Sequence, residues 1–245
     1  MFRQNLFLMT GTLLLATGIA STAGATAEEN CQARRMVAAG RYEACQQNAL
    51  ANFTAPGDFD KLYNALANCR QAYVAKWANF QTLFRSTSCA APRLVDNGDG
   101  TVADNLTGLQ WEQKDDRDRV LNPADPHDAD NVYSFSATGT AGDGSVYTSF
   151  VAKLNGSCFA HQCDWRLPTL MELLTILDPT EGKCGGDKGP CIDRIFGPTH
   201  AALYWSTTPV AGNPDLLWLV LFRGGGVVSG DKNSNVYARA VRGGL

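Results

Sequence analysis

Apolar residues recur at helical intervals in the N-terminal part of the chain. Between residues 62 and 84 they stand three or four positions apart, and a similar rhythm runs between residues 31 and 49. This spacing places them on one face of a helix. The turn sequence Pro56-Gly57-Asp58 separates the two stretches, and Asp58 is a candidate N-cap for the second helix. The pattern predicts an antiparallel helical hairpin over residues 28–89.

The pattern changes to short strands and turns from residue 93 onward. Asn-Gly and Asp-Gly turns at residues 97–100 lie between β-forming residues and predict a hairpin. Further strands are predicted at residues 202–207, 216–222, 227–229 and 237–241. The second of these is apolar on both faces and is therefore expected to be central. In the last strand, Tyr237, Arg239 and Val241 are expected to share one face. Residues 90–245 are thus predicted to form an α+β domain with an antiparallel sheet.

A well-specified helix start lies in the middle of this domain. Pro168 disfavours helical geometry before it, Thr169 is a candidate N-cap, and Glu172 completes a capping box. These roles leave Asp164 and Arg166, with an indole between them, unexplained. A structural ion pair of Arg166 with Asp164 or Glu172 is favoured over a ligand contact.

Residues 112–147 are polar, rich in Asp and Gly, and without periodicity. A long irregular segment inside a compact domain is usually functional or mobile. Its carboxylates, with Asp115, Asp118 and Asp128 as the weak candidates, could bind calcium, although a solvated loop is the default interpretation. His127 lies in the same segment.

The eight cysteines favour disulfide bonds, because an even number is typical of exported proteins. In a continuous first helix, Cys31 and Cys45 would be about 21 Å apart, too far for a bond. The hairpin instead favours the nested pairs Cys45–Cys69 and Cys31–Cys89, an argument that a helix break at Gly40 would weaken.

Local pairs are preferred for the four later cysteines, namely Cys158–Cys163 and Cys184–Cys191, but their connectivity stays open. The alternative for Cys158, His161 and Cys163 is a partial zinc site. No second cluster of matching spacing completes it, so structural bridges are favoured.

The first 27 residues have the pattern of an export signal. Arg3 precedes an apolar run, and Ala25-Thr26-Ala27 fits a cleavage site. No later stretch is long and apolar enough to span a bilayer. The formal net charge is −3 and no concentrated basic patch is visible, which argues against a nucleic-acid partner. We expect an extracytoplasmic bacterial protein, in the periplasm or outside the cell.

Five stretches in the second domain match one family in the right order. They are Gly100-Thr101-Val102-Ala103-Asp104 with Thr107-Gly108-Leu109-Gln110-Trp111, Asp164-Trp165-Arg166-Leu167-Pro168-Thr169 with Glu172-Leu173, Ile192-Asp193 with Phe196-Gly197-Pro198-Thr199, Tyr204-Trp205-Ser206-Thr207-Thr208, and Val236-Tyr237-Ala238-Arg239-Ala240-Val241-Arg242-Gly243-Gly244. On these motifs the chain from about residue 93 to 244 resembles the Lcl C-terminal domain-like family. The predicted helical hairpin lies outside the resemblance.

The resemblance implies a C-type-lectin-like fold with long loops, and binding to sulfated or other surface polysaccharides. Two motifs are also similar to those of the formylglycine-generating-enzyme superfamily. Its oxidase chemistry depends on late active-site cysteines, and here no cysteine follows Cys191. That activity is therefore not expected.

Three function classes follow. The first is an exported, non-catalytic binding or adhesion module for polysaccharide or another envelope component. Its candidate ligand-binding residues are His127, Asp128, Asp164, Arg166 and Trp205. The second is an assembly component of an envelope complex that acts through the hairpin, and the third, least favoured, is an enzyme. No cofactor is expected apart from the calcium candidate. At least two of Trp111, Trp165 and Trp205 are expected to be core residues.

Overall fold

Two long antiparallel helices form the N-terminal part of the computed structural model, which describes residues 25–52, 59–87, 91–178, 184 and 189–244. They are α1 (Ala27–Ala51) and α2 (Phe59–Leu83), so the predicted hairpin is confirmed. The Cys45–Cys69 bond joins them, as predicted, with a Cα–Cα distance of 5.8 Å. Helix α1 runs through Gly40 without a break. The predicted cap Asp58 and Cys89, the predicted partner of Cys31, lie outside the described residues.

The inward face of the hairpin packs on the second domain. One buried cluster joins apolar side chains of both helices to Leu106 of the domain. Nearer the start of α2, Leu62 and Leu66 enter the main core of the domain. The Arg35 side chain donates a hydrogen bond to the Asn105 carbonyl oxygen at 2.7 Å. The hairpin is therefore held to the domain by both apolar and polar contacts.

The first sheet has four antiparallel strands, β1 (Leu94–Asp96), β2 (Thr101–Asp104), β3 (Leu109–Glu112) and β9 (Val241–Gly243). They lie in the order β1-β2-β3-β9. The predicted hairpin at residues 97–100 is the β1–β2 turn. The sheet thus pairs a strand from the start of the domain with the last strand of the chain.

The second sheet has five strands, β4 (Val132–Ser134), β5 (Leu203–Val210), β6 (Asn213–Leu221), β7 (Gly226–Asp231) and β8 (Asn235–Tyr237). Their order is β4-β8-β5-β6-β7. Strand β6 lies between two others, which confirms the prediction for residues 216–222. The pairing of β5 with β8 is parallel, so this sheet is mixed rather than purely antiparallel.

The prediction of one final strand over residues 237–241 is wrong. The chain leaves the second sheet after Tyr237 and enters the first sheet at Val241. In the crossing segment the Arg239 guanidinium donates to the carbonyl oxygens of Glu112 and Phe196, at 2.7 and 2.9 Å. The Ala240 amide donates to the Glu112 carboxylate. The Arg239 guanidinium and the Ala240 amide thus bond to groups outside a strand ladder, and the two sheets remain separate here.

Short helices complete the domain. A single π-helical turn (Val146–Val151) leads into α3 (Ala152–Gly156). Helix α4 (Leu170–Ile176) begins at Thr169 with the predicted capping box. Its apolar face enters the main core. All three tryptophans of the family motifs are buried, as expected for core residues: Trp111, Trp165 and Trp205.

The Cys158–Cys163 and Cys184–Cys191 bonds both form as preferred from the sequence. Both sulfurs of the partial zinc cluster are therefore in a disulfide, which contradicts the zinc alternative. Such bonds are consistent with an extracytoplasmic protein. In the part of the chain that the structure describes, no helix combines the length and apolarity needed to cross a membrane.

Candidate functional site

The ion pairs of the Asp164–Glu172 motif tie it to neighbouring elements. Arg166 contacts Glu172 through two hydrogen bonds, at 2.8 and 2.6 Å, which confirms the predicted structural pair. Asp164 pairs instead with Arg242, at 2.6 Å. That hydrogen bond lowers the pKa of the Asp164 carboxyl. The Arg166 backbone also exchanges two hydrogen bonds with Val241 in β9. The motif thus fastens the start of α4 to the last strand.

Trp205, another predicted ligand residue, has no exposed surface in the structure. Its indole N–H donates to the Tyr133 carbonyl oxygen at 2.7 Å, and its ring packs against Phe135. A side chain enclosed in this way has no free face on which a sugar could stack. The structure therefore places the Trp205 side chain, which β5 carries, in the core against Tyr133 and Phe135.

A buried charge network holds the first part of the irregular segment. The Glu112 carboxylate lies 2.8 Å from the Lys114 ammonium and 3.2 Å from Nδ1 of His127. Burial alone would raise the pKa of Glu112, but Lys114 and His127 outweigh it, so the pKa is lowered. The His127 ring packs against Phe159 in a tilted arrangement, with centroids 4.2 Å apart. His127 thus contacts both the network and the short helix at residues 159–161.

The carboxylate of Asp128 is occupied by the loop itself. One oxygen accepts the Asp130 amide at 2.7 Å and the other accepts the Asn122 amide at 2.8 Å. Asp118 likewise accepts the Val120 amide. Within the described ranges, no group of three or more His, Cys, Asp or Glu side chains is arranged to hold a metal ion. The calcium candidates Asp115, Asp118 and Asp128 are not brought together as such a group.

A contact between Asp130 and His200 holds the middle of the segment. Asp130 lies 2.6 Å from Nε2 of His200 and also accepts the Arg119 amide. The His200 ring stacks on Tyr237, with centroids 4.5 Å apart. Arg117, between the two anchors, donates to the Thr199 carbonyl oxygen at 3.0 Å. The stretch between Glu112 and Asp130 is therefore held at both ends, and Arg117 contacts the chain at Thr199.

This position of Arg117 closes one side of a cavity of about 430 Å³. We call it the arginine cavity. Among the described residues, its lining includes two arginines and no aspartate or glutamate: Arg117, Pro190, Ile192, Arg194, Gly197, Pro198 and Thr199. Both arginine side chains belong to exposed residues. Within the described ranges, no salt bridge joins either guanidinium to a carboxylate, although Arg117 donates to the Thr199 carbonyl oxygen and its charge helps to lower the pKa of Asp130. Both arginines can still offer N–H donors to an anionic ligand.

The floor of the arginine cavity depends on a close backbone approach. Gly197 has a φ of +76°, and an added Cβ would lie 1.8 Å from the Lys114 carbonyl oxygen. Only glycine allows residues 197–199 to approach the start of the irregular segment this closely. Below them, the buried Arg239 donates to the Thr199 hydroxyl at 2.9 Å. The lining residues Gly197 and Thr199 are thus packed against the Lys114 backbone and the buried Arg239 side chain.

A smaller cavity of about 230 Å³ lies elsewhere under the irregular segment. Its lining residues are Leu121, Pro123, Asn131, Val132, Tyr133, Ser145, Ser149 and Lys153. Ligand sites usually have volumes of about 300–1,000 Å³. The arginine cavity falls in that range and the smaller cavity does not, so the arginine cavity is the better candidate site.

None of the five predicted ligand residues lines the arginine cavity. His127 and Asp128 hold the loop that carries Arg117, whereas Asp164 and Arg166 lie at the start of α4. Arg117 and Arg194 are not among the ligand-binding residues predicted from the sequence. A usable signal was present for Arg194, because it lies inside the family stretch from Ile192 to Thr199. That stretch was interpreted only as a mark of the fold.

Comparison with known proteins gives one match. The model of the Lcl C-terminal domain matches residues 100–242, which is more than half of the chain. No curated protein and no solved structure matches the chain. The matched range contains the arginine cavity, the whole second sheet and all of the first sheet except β1 and the last residue of β9, and it excludes α1 and α2.

Proposed function

Since the chain belongs to the Lcl C-terminal domain family, we propose that it is an exported, non-catalytic binding module that holds an acidic polysaccharide in the arginine cavity. The export signal over residues 1–27 is part of this proposal, and the disulfide bonds support it. Adhesion to a surface that displays such a polysaccharide is the corresponding cellular role.

The observation that carries the proposal is the pair of open guanidinium groups in one cavity. Arg117 and Arg194 line the same space of about 430 Å³, and none of the described residues that line it carries a carboxylate. A planar guanidinium donates paired hydrogen bonds to the oxygens of a sulfate or carboxylate group. Two such groups favour a ligand with repeated negative charges, which acidic polysaccharides provide.

The remaining lining supports a sugar rather than a bare anion. Pro190 and Pro198 are only partly exposed and offer apolar surface to the faces of a sugar ring. Recognition of this kind needs no reaction and no metal ion. Calcium therefore enters the proposal only as a condition to be varied in the binding experiment.

We also propose a C-type-lectin-like arrangement for the matched domain. Two features support it. The last strand, β9, pairs with β3 near the start of the domain, and a long irregular segment contributes to the candidate site. The fold analogy by itself transfers no function. The ligand class rests on the arginine cavity.

The experiment compares three polymers of similar length: dextran sulfate, polygalacturonate and neutral dextran. Each is titrated into the oxidised protein by calorimetry, with and without calcium. We expect saturable binding of the charged polymers that weakens steeply with added salt, because binding releases counterions. Equal affinity for neutral dextran, or no binding of any polymer in either condition, would contradict the proposal.

The second candidate function is assembly in an envelope complex through the hairpin. One observation favours it. Four large apolar side chains on the two helices are exposed by 44–74 %: Met36, Val37, Val74 and Leu83. Photo-cross-linking from hairpin positions in native envelopes tests this function, and recovery of one specific partner protein is the expected result. Cross-links no different from those of an unrelated exported protein would contradict it.

A further inference from the structure

A groove runs along the outer side of the helical hairpin, between α1 and α2. It has a volume of about 430 Å³. We call it the hairpin groove. Its lining residues come from both helices and lie outside the family match: Asn30, Ala33, Arg34, Val37, Ala38, Arg41, Lys76, Asn79, Phe80 and Leu83.

The spacing of these residues matches the surface of a third helix. On α1, Arg34, Val37 and Arg41 stand three and four positions apart, and on α2 the groove runs from Lys76 to Leu83. Seven residues of helix extend about 10.5 Å, or about two turns. The groove therefore presents two parallel rows of side chains, each about two turns long, as in recognition of an amphipathic helix in a groove.

The apolar part of the groove is exposed to an unusual degree. Val37 is 55 % exposed and Leu83 is 59 % exposed, whereas Ala38 below them is 3 % exposed. Phe80, one turn before Leu83 on α2, also lines the groove and is partly buried. Burial of such side chains against a partner would be favourable, at roughly 25 cal/mol per Å² of apolar surface.

The charged part of the groove has one sign. Arg34, Arg41 and Lys76 line it, and its described lining residues include no aspartate or glutamate. A second copy of the hairpin would bring the same positive charges together, which disfavours self-association through this surface. A helix with acidic residues beside an apolar stripe would complement both the charges and the apolar centre.

We propose that the hairpin groove docks an acidic amphipathic helix of a partner protein, completing a three-helix arrangement. The proposal rests on the second candidate function, assembly through the hairpin, and names the partner's chemistry. The Lcl C-terminal domain would then bind polysaccharide, while the hairpin attaches the protein to another component of the envelope.

The test uses two synthetic peptides with one apolar stripe, each roughly 20 residues long so that a helix can form. One carries glutamates beside the stripe and the other carries lysines at the same positions. Fluorescence anisotropy measures their binding to the full oxidised protein. We expect the acidic peptide to bind at least about tenfold more tightly than the basic one.

Matched substitutions locate the binding. Val37→Gln and Leu83→Gln change groove residues, and Lys76→Glu reverses a groove charge. Met36→Gln, Val74→Gln and Arg85→Glu are the controls, because these exposed residues do not line the groove. Each groove variant is expected to weaken the acidic peptide by about tenfold, and each control by less than about threefold.

Helical circular dichroism shows whether each variant keeps its fold, and all six positions are exposed. Equal binding of the two peptides, or equal losses in groove and control variants, overturns the groove proposal. If cross-linking from the hairpin then still captures one specific envelope protein, the assembly function stands and only its placement in the groove is rejected.

Discussion

Removal of the Lys114 ammonium is the most informative test of the buried network beneath the candidate site. Lys114 is 4 % exposed and Glu112 is fully buried, with 2.8 Å between their charged atoms. Lys114→Met fills a similar volume but removes the nearest positive charge of the Glu112 carboxylate, which among the described residues keeps contacts with His127 and the Ala240 amide. It also removes the hydrogen bond from Lys114 to the Pro126 carbonyl oxygen.

The expected loss is large because a buried charge would lose its main partner. Breaking a buried ion pair costs about 3–5 kcal/mol. For a protein of this size each kcal/mol lowers Tm by roughly 2–4 °C. We therefore expect a fall in Tm of roughly 6–20 °C, measured by calorimetry. Adding Glu112→Gln removes the stranded charge, and the double variant should be more stable than Lys114→Met alone.

Asp164→Asn is the matched control for an exposed ion pair. The Asp164 side chain is 59 % exposed, and its pair with Arg242 is screened by water. Such pairs contribute less than about 1 kcal/mol. If Lys114→Met lowers Tm no more than Asp164→Asn does, or if Glu112→Gln fails to improve the Lys114→Met variant, the account of this network is refuted.

Two further predictions concern the backbone and the irregular segment. Gly197→Ala should be far more destabilising than Gly212→Ala. Both glycines have φ near +77°, but only at Gly197 would the added Cβ meet backbone, the Lys114 carbonyl oxygen at 1.8 Å. Equal losses of Tm in the two variants would count against this close approach. The pKa of Asp143 is lowered to about 2, chiefly because the Ala137 amide and then the Ser136 hydroxyl donate to its carboxylate. Its contribution to stability should therefore persist above the unfolded pKa of about 3.9 and be lost as pH falls through about 2. NMR should show this carboxyl still ionised at about pH 3, and a midpoint near the unfolded value would reject the described contacts.

Local sequence signals predicted much of the fold. The capping box at Thr169 and Glu172, the hairpin helices and the Cys158–Cys163 bond depend on residues close together in the chain. The nested Cys45–Cys69 pair followed from helix geometry. Such features are encoded within a few turns or by one distance, so a single sequence is sufficient to predict them.

The change of sheet between Tyr237 and Val241 could not be predicted in the same way. The alternation of residues 237–241 resembles a single strand, and only contacts with the distant Glu112 and Phe196 divide it. Pairing partners far apart in the chain decide which sheet a segment joins.

The shared position of Arg117 and Arg194 in the arginine cavity could not be predicted for a similar reason. Arg117 lies in a charged, aperiodic segment and Arg194 in a motif that marked the fold. Their shared cavity depends on the anchors of the loop, including the Asp130–His200 pair. His127 and Asp128 drew attention because their side chains can perform chemistry. In the structure their side chains make hydrogen bonds that position the segment.

The most direct test of the central proposal is the affinity for dextran sulfate of Arg194→Gln relative to Arg223→Gln. Both residues are exposed arginines, but only Arg194 lines the cavity. Charge-assisted hydrogen bonds are worth about 1.5–3 kcal/mol, so we expect Arg194→Gln to weaken binding by about tenfold or more. Arg223→Gln should stay within about twofold of the unsubstituted protein. Equal losses in the two variants would show that the polymer binds by general surface charge and would contradict the arginine cavity as the site.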